Sequence, residues 1–360
     1  MDVTGHNESA ATDSPRAAAS IRDVARVAGV SYQTVSRVIN GHSSVSADAR
    51  ERVETAIGSL GYRPSRAARA LAHGMENVVT VLTSNTSLFG YAQTLAGIEE
   101  AARTAGVRVA IRVLSSDDPD VVEAAVEQVS DPRSGAVIVL GFDRAGARAL
   151  AALPAVVRAS AAVESYVGRR APKADNHRWT WFDDTVAAER ATAHLLDLGH
   201  ATVHHMAIPS SSTVGDRQRG WQRALRAVGA PVPPVIRPES WTTQAAHAAA
   251  LEVLGSPEIT AVLCGNDDQA LGVLRAAHDL GLSVPGDLSV VGFDDIPGAP
   301  FFTPALTTVR FDFAGLGRRA FEVLGIGHDP KPEPSPIPQP TLIIRESSGP
   351  AATRRPTSKR

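Results

Sequence analysis

SIRDVARVAGVSYQTVSRVINGHSSVSADARERVETAIGSLGYRPSRAARALA, residues 20–72, decides what kind of module opens this 360-residue chain. Ile21, Val24, Ala25 and Ala28 follow helical spacing, Gly29 interrupts them, and Ser31 is placed to cap a second helix running to Asn40. Gly41 stops that helix. Ser46 precedes a third, Ala47–Leu60, whose Val53, Ala56, Ile57 and Leu60 form one face, and Gly61 closes it. The pattern predicts three short helices around one small core.

The second helix carries the chemistry. Tyr32, Gln33 and Arg37 project from its first turns, and a helix whose leading face bears long polar donors is built to enter a major groove. Arginine pairs bidentately with guanine and glutamine with adenine, so these three are the expected base readers. Ser31, Thr34, Ser36, Asn40 and Ser46 supply short donors suited to phosphate oxygens, Tyr62 is a further phosphate contact, and Ile21 at the start of the first helix completes the DNA-facing set. Charge agrees. Residues 16–73 hold nine arginines against four acids, whereas the whole chain has a formal net charge of −2, so the attraction for phosphate is concentrated in one module.

Residues 1–19 are small, polar and aperiodic and read as a disordered leader. Tyr62-Arg63-Pro64 closes the module at residue 64, and residues 65–75 form a linker in which Ser65 caps a short Ala- and Arg-rich helix with a lone large apolar residue, Leu71. So short a helix is marginal in water and orders against a partner. From Glu76 the text alternates strands and helices: VVTVLT (78–83), VRVAIRVL (107–114), GAVIVL (135–140), AVVRAS (155–160), WTWF (179–182), TVHHMAI (202–208), AVLCG (261–265) and LSVVGFDD (288–295) are the strands. Such repetition predicts parallel sheets covered by helices, and two series of similar length predict two similar lobes. Residues 346–360 read as a disordered tail without the leucine heptads of an oligomerisation helix.

Residues 20–72 closely resemble the DNA-binding headpiece and hinge of the lactose-repressor (LacI) family. The likeness continues through DLGHATV (197–203), GDRQRGWQRAL (215–225), CGNDDQALGVLRAAHDLGLSVPGDLSVVGFDDIP (264–297) and PALTTVRFDF (304–313). It implies an all-α helix-turn-helix domain with a hinge helix, followed at 76–345 by a two-lobed, periplasmic-binding-protein-like α/β core that binds an effector and dimerises. The first lobe is expected over about 76–178 and 307–330, the second over about 179–306. By resemblance, Ala68 and Leu71 belong to the hinge helix, which pairs across a homodimer and wedges leucine into a central minor-groove base step. Within the family, the Tyr32-Gln33 pair is the lactose-type version and implies a lac-type pseudo-palindromic double-stranded operator.

The resemblance also implies a sugar pocket. Arg217, Asn266, Asp294 and Trp241 fall on family positions that contact inducer, and they supply the planar hydrogen-bonding groups and aromatic face a sugar needs. Phe182 and Phe313 match further wall positions, and Ser84 and Leu88 are the first-lobe contributions. Two departures stand out: Ala159 or Ser160 occupies the place of a fourth-strand carboxylate, and Phe311 replaces a glutamine, making that wall more apolar. A galactoside is the first expectation for the effector. Another saccharide, or a corepressor in place of an inducer, is the alternative within the family; a sugar-binding transport protein is the rival from another class, which the headpiece and the lack of an apolar signal segment oppose.

The remaining sequence signals carry no chemistry of their own. The single cysteine, Cys264, sits in an apolar run and reads as a buried strand residue, so no intrachain disulfide is expected. His194, His200, His204 and His205 crowd together without metal-ligand spacing. Residues 315–320 fit a dinucleotide fingerprint but lack the βαβ unit and ribose-binding acid it requires. Carboxylate pairs such as Asp267-Asp268 have no catalytic frame, and no nucleophile motif or phosphate loop occurs. The expectation is therefore a regulator with no catalytic residues, metal or cofactor, without a membrane span, residing in the cytoplasm.

Overall fold

The computed structural model describes residues 19–39, 45–62, 78–131, 135–163, 177–208, 216–326 and 338–351. The chain divides into two compact units, residues 1–75 and 76–360.

The first unit contains α1 (Ile21–Ala28), α2 (Tyr32–Ile39) and α3 (Ala47–Leu60). Ser20 and Asp23 cap α1 reciprocally: Ser20 Oγ accepts the Asp23 N–H at 3.3 Å and the Asp23 carboxylate accepts the Ser20 N–H at 3.0 Å. Gly29 and Gly61 close α1 and α3 in the left-handed region, at φ of 62° and 57°, where a side chain is strained. One valine from each helix, Val24, Val35 and Val53, is fully buried at the centre.

The second unit holds two sheets. β1 (Val78–Thr83), β2 (Arg108–Val113), β3 (Ala136–Gly141), β4 (Ala159–Val163) and β5 (His177–Trp181) form a parallel sheet in the order β2-β1-β3-β4-β5. The helices α4 (Phe89–Thr104), α5 (Pro119–Glu127) and α6 (Arg144–Ala152) connect them. Every residue of β3 is buried, as a strand covered on both faces demands. The second sheet runs β10-β9-β8-β7-β6, from β6 (His204–Met206), β7 (Ala261–Cys264), β8 (Ser289–Asp294) and β9 (Thr307–Arg310), all parallel, to β10 (Thr341–Ile343), antiparallel on β9. Its helices are α7 (Asp184–Asp197), α8 (Asp216–Ala227), α9 (Thr243–Val253) and α10 (Asp267–Asp279). Ile236 bridges to Met206 in parallel, a single-residue strand beyond β6. In both sheets the first strand thus lies between its two successors, β1 between β2 and β3, and β6 between Ile236 and β7. Ligands of open α/β sheets bind outside the carboxyl ends of the strands at such a reversal.

The chain crosses between lobes three times, and the crossings differ from the expected boundaries. β5 pairs with β4 and keeps residues 179–181 in the first lobe, whereas β9 pairs with β8 and places 307–310 in the second. The chain then returns to the first lobe for α11 (Phe313–Glu322), which packs on α4, and β10 brings it back to the second. α4 and α11 approach closely: a Cβ on Gly97 would lie 2.0 Å from the Ala314 carbonyl oxygen, and one on Gly317 2.1 Å from that of Thr94. Gly317 belongs to the 315–320 segment and serves this contact, whereas Gly315 makes room for the Asp312 carboxylate that caps α11.

Two more expectations are corrected. The fourth strand begins at Ala159 and not at residue 155, because the Val157 N–H closes a turn onto the Pro154 carbonyl. The tail does not leave the fold at residue 346: Ser347 is fully buried and donates to the Val290 carbonyl at 2.6 Å, the Gly349 oxygen lies 3.2 Å from His200 Nε2, and the Ala351 N–H reaches the Leu198 carbonyl at 3.0 Å. A polar segment whose groups pair with β8 and with the turn after α7 is held by hydrogen bonds that composition does not reveal. Among the described residues no helix is long and apolar enough to cross a membrane.

Candidate functional site

In the first unit, the residues expected to read a groove lie on α2. Val35 and Val38 turn into the core, leaving Tyr32, Gln33 and Arg37 exposed on the other side, Tyr32 by 54%. Ser31 Oγ accepts the Thr34 N–H at 3.1 Å, and Ser46 Oγ accepts the Ala49 N–H at 3.4 Å. Both serines are helix caps, so a phosphate contact from either draws on its hydroxyl proton. Thr34 and Ser36 are half-buried on the flank of α2, and Ile21 is half-buried against the core. Tyr62, the further phosphate candidate, is only 8% exposed and packs with that core. Asn40, Ala68 and Leu71, with the hinge at 65–75, lie outside the described residues.

In the second unit a cleft of about 490 Å³ opens between the two sheets. Leu88, Phe89, Gly90, Tyr91 and Phe142 line it from the first lobe, Phe182 and Phe313 from the crossings, and Asp184, Arg217, Trp241, Asn266, Asp268 and Asp294 from the second. The two walls differ in kind. On one side the rings interlock edge to face, with centroid distances of 5.0 Å for Tyr91–Phe142, 5.6 Å for Phe182–Phe313 and 6.2 Å for Phe89–Phe313. The other side is almost wholly polar.

Arg217 is the centre of the polar wall. Its Nε donates to Asp184 Oδ2 at 2.9 Å, another guanidinium nitrogen donates to the Gly265 carbonyl, and the group lies over Phe293 and Phe311, 4.7 and 5.5 Å from their centroids. Burial pushes the Asp184 carboxyl up to about 6, against the pull of Arg217. Burial holds Asp294 well above the ordinary carboxylate range, again opposed by Arg217, and Asp268 is raised for the same reason. Asn266 caps α10 by accepting the Gln269 N–H on Oδ1 at 2.8 Å, which leaves its NH2 as a donor at the carboxyl end of β7.

Asp294 ends β8 at φ 109° and Asp295 follows at 52°, backbone states that cost of order 1–3 kcal/mol for a residue with a side chain. The strain is over-determined. Asp295 is held by Arg310 at 2.6 Å and Arg345 at 2.7 Å, while buried Asp267 accepts the Ile296 N–H at 2.9 Å and the Thr308 hydroxyl at 2.6 Å. Asp267 thus shapes the loop that presents Asp294, and burial pushes its carboxyl up to about 7.

A family model described as bacterial regulatory proteins of the lacI family matches residues 20–65, and one described as a periplasmic binding protein-like domain matches 192–348. The transcriptional regulator GalS of Salmonella typhimurium is 34% identical over 84% of this chain and 88% of its own length. The chain belongs to the LacI family. The lactose operon repressor of Escherichia coli, 33% identical, covers 84% of this chain and 82% of its own. Among solved structures, the lac repressor dimer bound to operator and the anti-inducer ONPF matches with a TM-score of 0.79, 29% identity and coverage of 92% of this chain and 99% of that one. A complex of the regulator CelR with cellobiose matches at 0.64, 27% identity, 91% and 99%.

For this member of the LacI family, the structure brings Leu88, Phe182, Arg217, Trp241, Asn266, Asp294 and Phe313 to one cleft. Ser84 is not on its wall: it lies behind Tyr91, with its Oγ 3.2 Å from the phenol oxygen. Phe311 is also behind the wall, as a platform for Arg217. Ser160 is buried and donates to the Ala320 carbonyl at 2.6 Å, and Ala159 is equally buried, so neither supplies the cleft with a substitute carboxylate. Sequence reasoning missed Phe89, Tyr91, Phe142, Asp184 and Asp268. His200 and His205 serve the scaffold: His205 packs 5.5 Å from Trp221, and His200 joins Thr260 and Ser289 at 2.9 and 3.0 Å.

Proposed function

We propose that this chain is a sugar-responsive transcriptional repressor that acts in the cytoplasm by binding and not by catalysis. A homodimer holds two headpieces over the half-sites of a pseudo-palindromic operator, with Tyr32, Gln33 and Arg37 at the base edges. A saccharide in the cleft places its hydroxyls against Arg217, Asn266, Asp268 and Asp294 and its apolar face against Trp241 and the aromatic wall. The observation that carries this reading is the two-faced cleft at the carboxyl ends of both sheets, in a chain that also bears an exposed groove-reading helix. A ligand touching both lobes shifts their arrangement about the three crossings by the difference in its affinity for the two states, a coupling typically of about 1–3 kcal/mol.

The test is binding of the full chain to a lac-type palindromic duplex at one fixed salt concentration, titrated with lactose, galactose and cellobiose. Tight binding released by one of them is the expected result. Tight binding indifferent to every saccharide refutes the sugar as effector and leaves the DNA reading. Affinity equal to that for a scrambled duplex refutes the lac-type operator.

A further inference from the structure

The polar wall of the cleft already holds what one sugar ring needs. Arg217, Asn266, Asp268 and Asp294 present donors and acceptors for its hydroxyls, and Trp241, from the same lobe, supplies a ring for its apolar face. The opposite wall is surplus to a single sugar unit. The cleft as a whole, at about 490 Å³, falls in the range of roughly 300–1,000 Å³ that holds drug-sized ligands, so the site has room for a second group on that side.

The chemistry of the opposite wall says what that group is. Among its described residues, Leu88, Phe89, Gly90, Phe142, Phe182 and Phe313 carry no side-chain donor or acceptor, and Tyr91 carries one oxygen, 3.2 Å from Ser84 Oγ. The fourth strand adds no carboxylate, since Ala159 is fully buried and the Ser160 hydroxyl donates to the Ala320 carbonyl at 2.6 Å. A second sugar unit seated here would press several hydroxyls against carbon, and one oxygen cannot serve them all. Each hydroxyl left unpaired costs about tenfold or more in affinity. A planar apolar group meets no such penalty. It gains edge and face contacts of the kind the wall is made of, where Phe313 stands 6.2 Å from Phe89 and 6.5 Å from Phe142, ring centre to ring centre. Leu88 and Phe89, at the start of α4, are only half-buried and form the rim that such a group would cover.

We infer that the effector is a glycoside with an aromatic aglycone, its sugar held by the second lobe and its aglycone laid against the rings of the first. This rests on the sugar reading given above and narrows it. The aromatic wall is the aglycone subsite, and Phe89 at its rim is a specificity-determining residue.

The experiment is calorimetric titration of the full-length chain with the methyl and phenyl glycosides of galactose and glucose, in both anomeric forms, and with the matching disaccharides lactose, melibiose, cellobiose and maltose. For the sugar and anomer that bind, the phenyl glycoside is expected to bind about 10- to 100-fold tighter than the methyl glycoside and than the matching disaccharide, the gain from burying one ring. Phe89→Ala is expected to weaken the phenyl glycoside by about tenfold more than the methyl glycoside, whereas Trp241→Ala weakens the two alike. Should Phe89→Ala loosen its neighbour Phe313, Leu88→Asn makes the same test: it takes apolar surface from the rim and places a capping residue at the N-cap of α4, which has no side-chain cap of its own. A phenyl glycoside no tighter than its methyl counterpart, a disaccharide that binds as tightly as the phenyl glycoside, or rim variants that weaken methyl and phenyl glycosides equally, overturns the proposal and leaves the sugar reading standing. Absence of binding by every glycoside and disaccharide overturns both.

Discussion

Replacing Arg217 by methionine isolates the electrostatics of the cleft, because methionine keeps most of the volume and removes the charge. In the folded chain Asp184 is fully buried, titrates at about 6 and has Arg217 as its ion-pair partner at 2.9 Å. At pH 5 that carboxyl is mostly neutral, so little ion pair is lost and Arg217→Met costs little; a buried guanidinium exchanged for a well-packed apolar side chain is often close to neutral. At pH 7.5 the carboxyl is ionised beside Arg217, and without its partner it must take up a proton to stay buried. That uptake spans about 1.5 pH units at about 1.4 kcal/mol each, so Arg217→Met is expected to be about 2 kcal/mol more destabilising at pH 7.5 than at pH 5. Urea unfolding followed by tryptophan fluorescence, to which buried Trp221 on the same helix contributes, measures it at both pH values. Adding Asp184→Asn to the variant is expected to shrink the pH difference, what remains coming from Asp294, which Arg217 also holds down. Equal destabilisation at the two pH values would refute Asp184 as the group that Arg217 holds ionised.

Three further outcomes are expected. Arg37→Ala lowers affinity for the operator by about 1–3 kcal/mol but leaves binding to a scrambled duplex nearly unchanged, as fluorescence anisotropy would record; an equal loss on both duplexes would make Arg37 a phosphate contact. Gly317→Ala drives a methyl into the Thr94 carbonyl and lowers stability by about 1–3 kcal/mol in the same urea assay, and an unchanged midpoint would mean that α4 and α11 can separate freely. Asp267 keeps in the folded chain, up to about pH 7, a proton that the unfolded chain releases near 3.8, so its contribution to stability falls by about 3 kcal/mol between pH 5 and pH 8; Asp267→Asn removes that part of the slope, and an identical pH profile would contradict the assignment.

What was legible in the sequence was whatever depends on local pattern. Capping serines and closing glycines announced α1 to α3, and unbroken apolar runs announced the parallel strands. Long donors at Tyr32, Gln33 and Arg37 announced a face with no core to serve. Arg217, Asn266 and Asp294 were found through the family likeness, because each stands in a quoted motif. Tyr91 and Phe142 were missed because an aromatic at the start of a helix or the end of a strand reads as core, and only the folded lobe turns them toward the cleft. Asp268 was passed over as half of an unframed pair, although its neighbour Asp267 turns inward to Thr308 while Asp268 faces the cleft. The assignment of β9 to the second lobe was out of reach for a different reason: alternation shows that a segment is a strand, not which sheet receives it.

The three crossings also constrain how the chain is made. Synthesis runs from the amino end, and the strands of the first lobe leave the ribosome well before the second lobe exists. The helix that covers α4, residues 313–322, is among the last segments to emerge. Until then the nascent first lobe exposes the stripe around Gly97 and Ile98 that α11 will bury, an apolar surface open to aggregation and to chaperone capture. The second lobe, too, waits for β10 and the segment through Ala351 to close its edge. Neither half can be obtained by cutting the chain once, and a ribosome stalled before residue 313 would carry two unfinished domains.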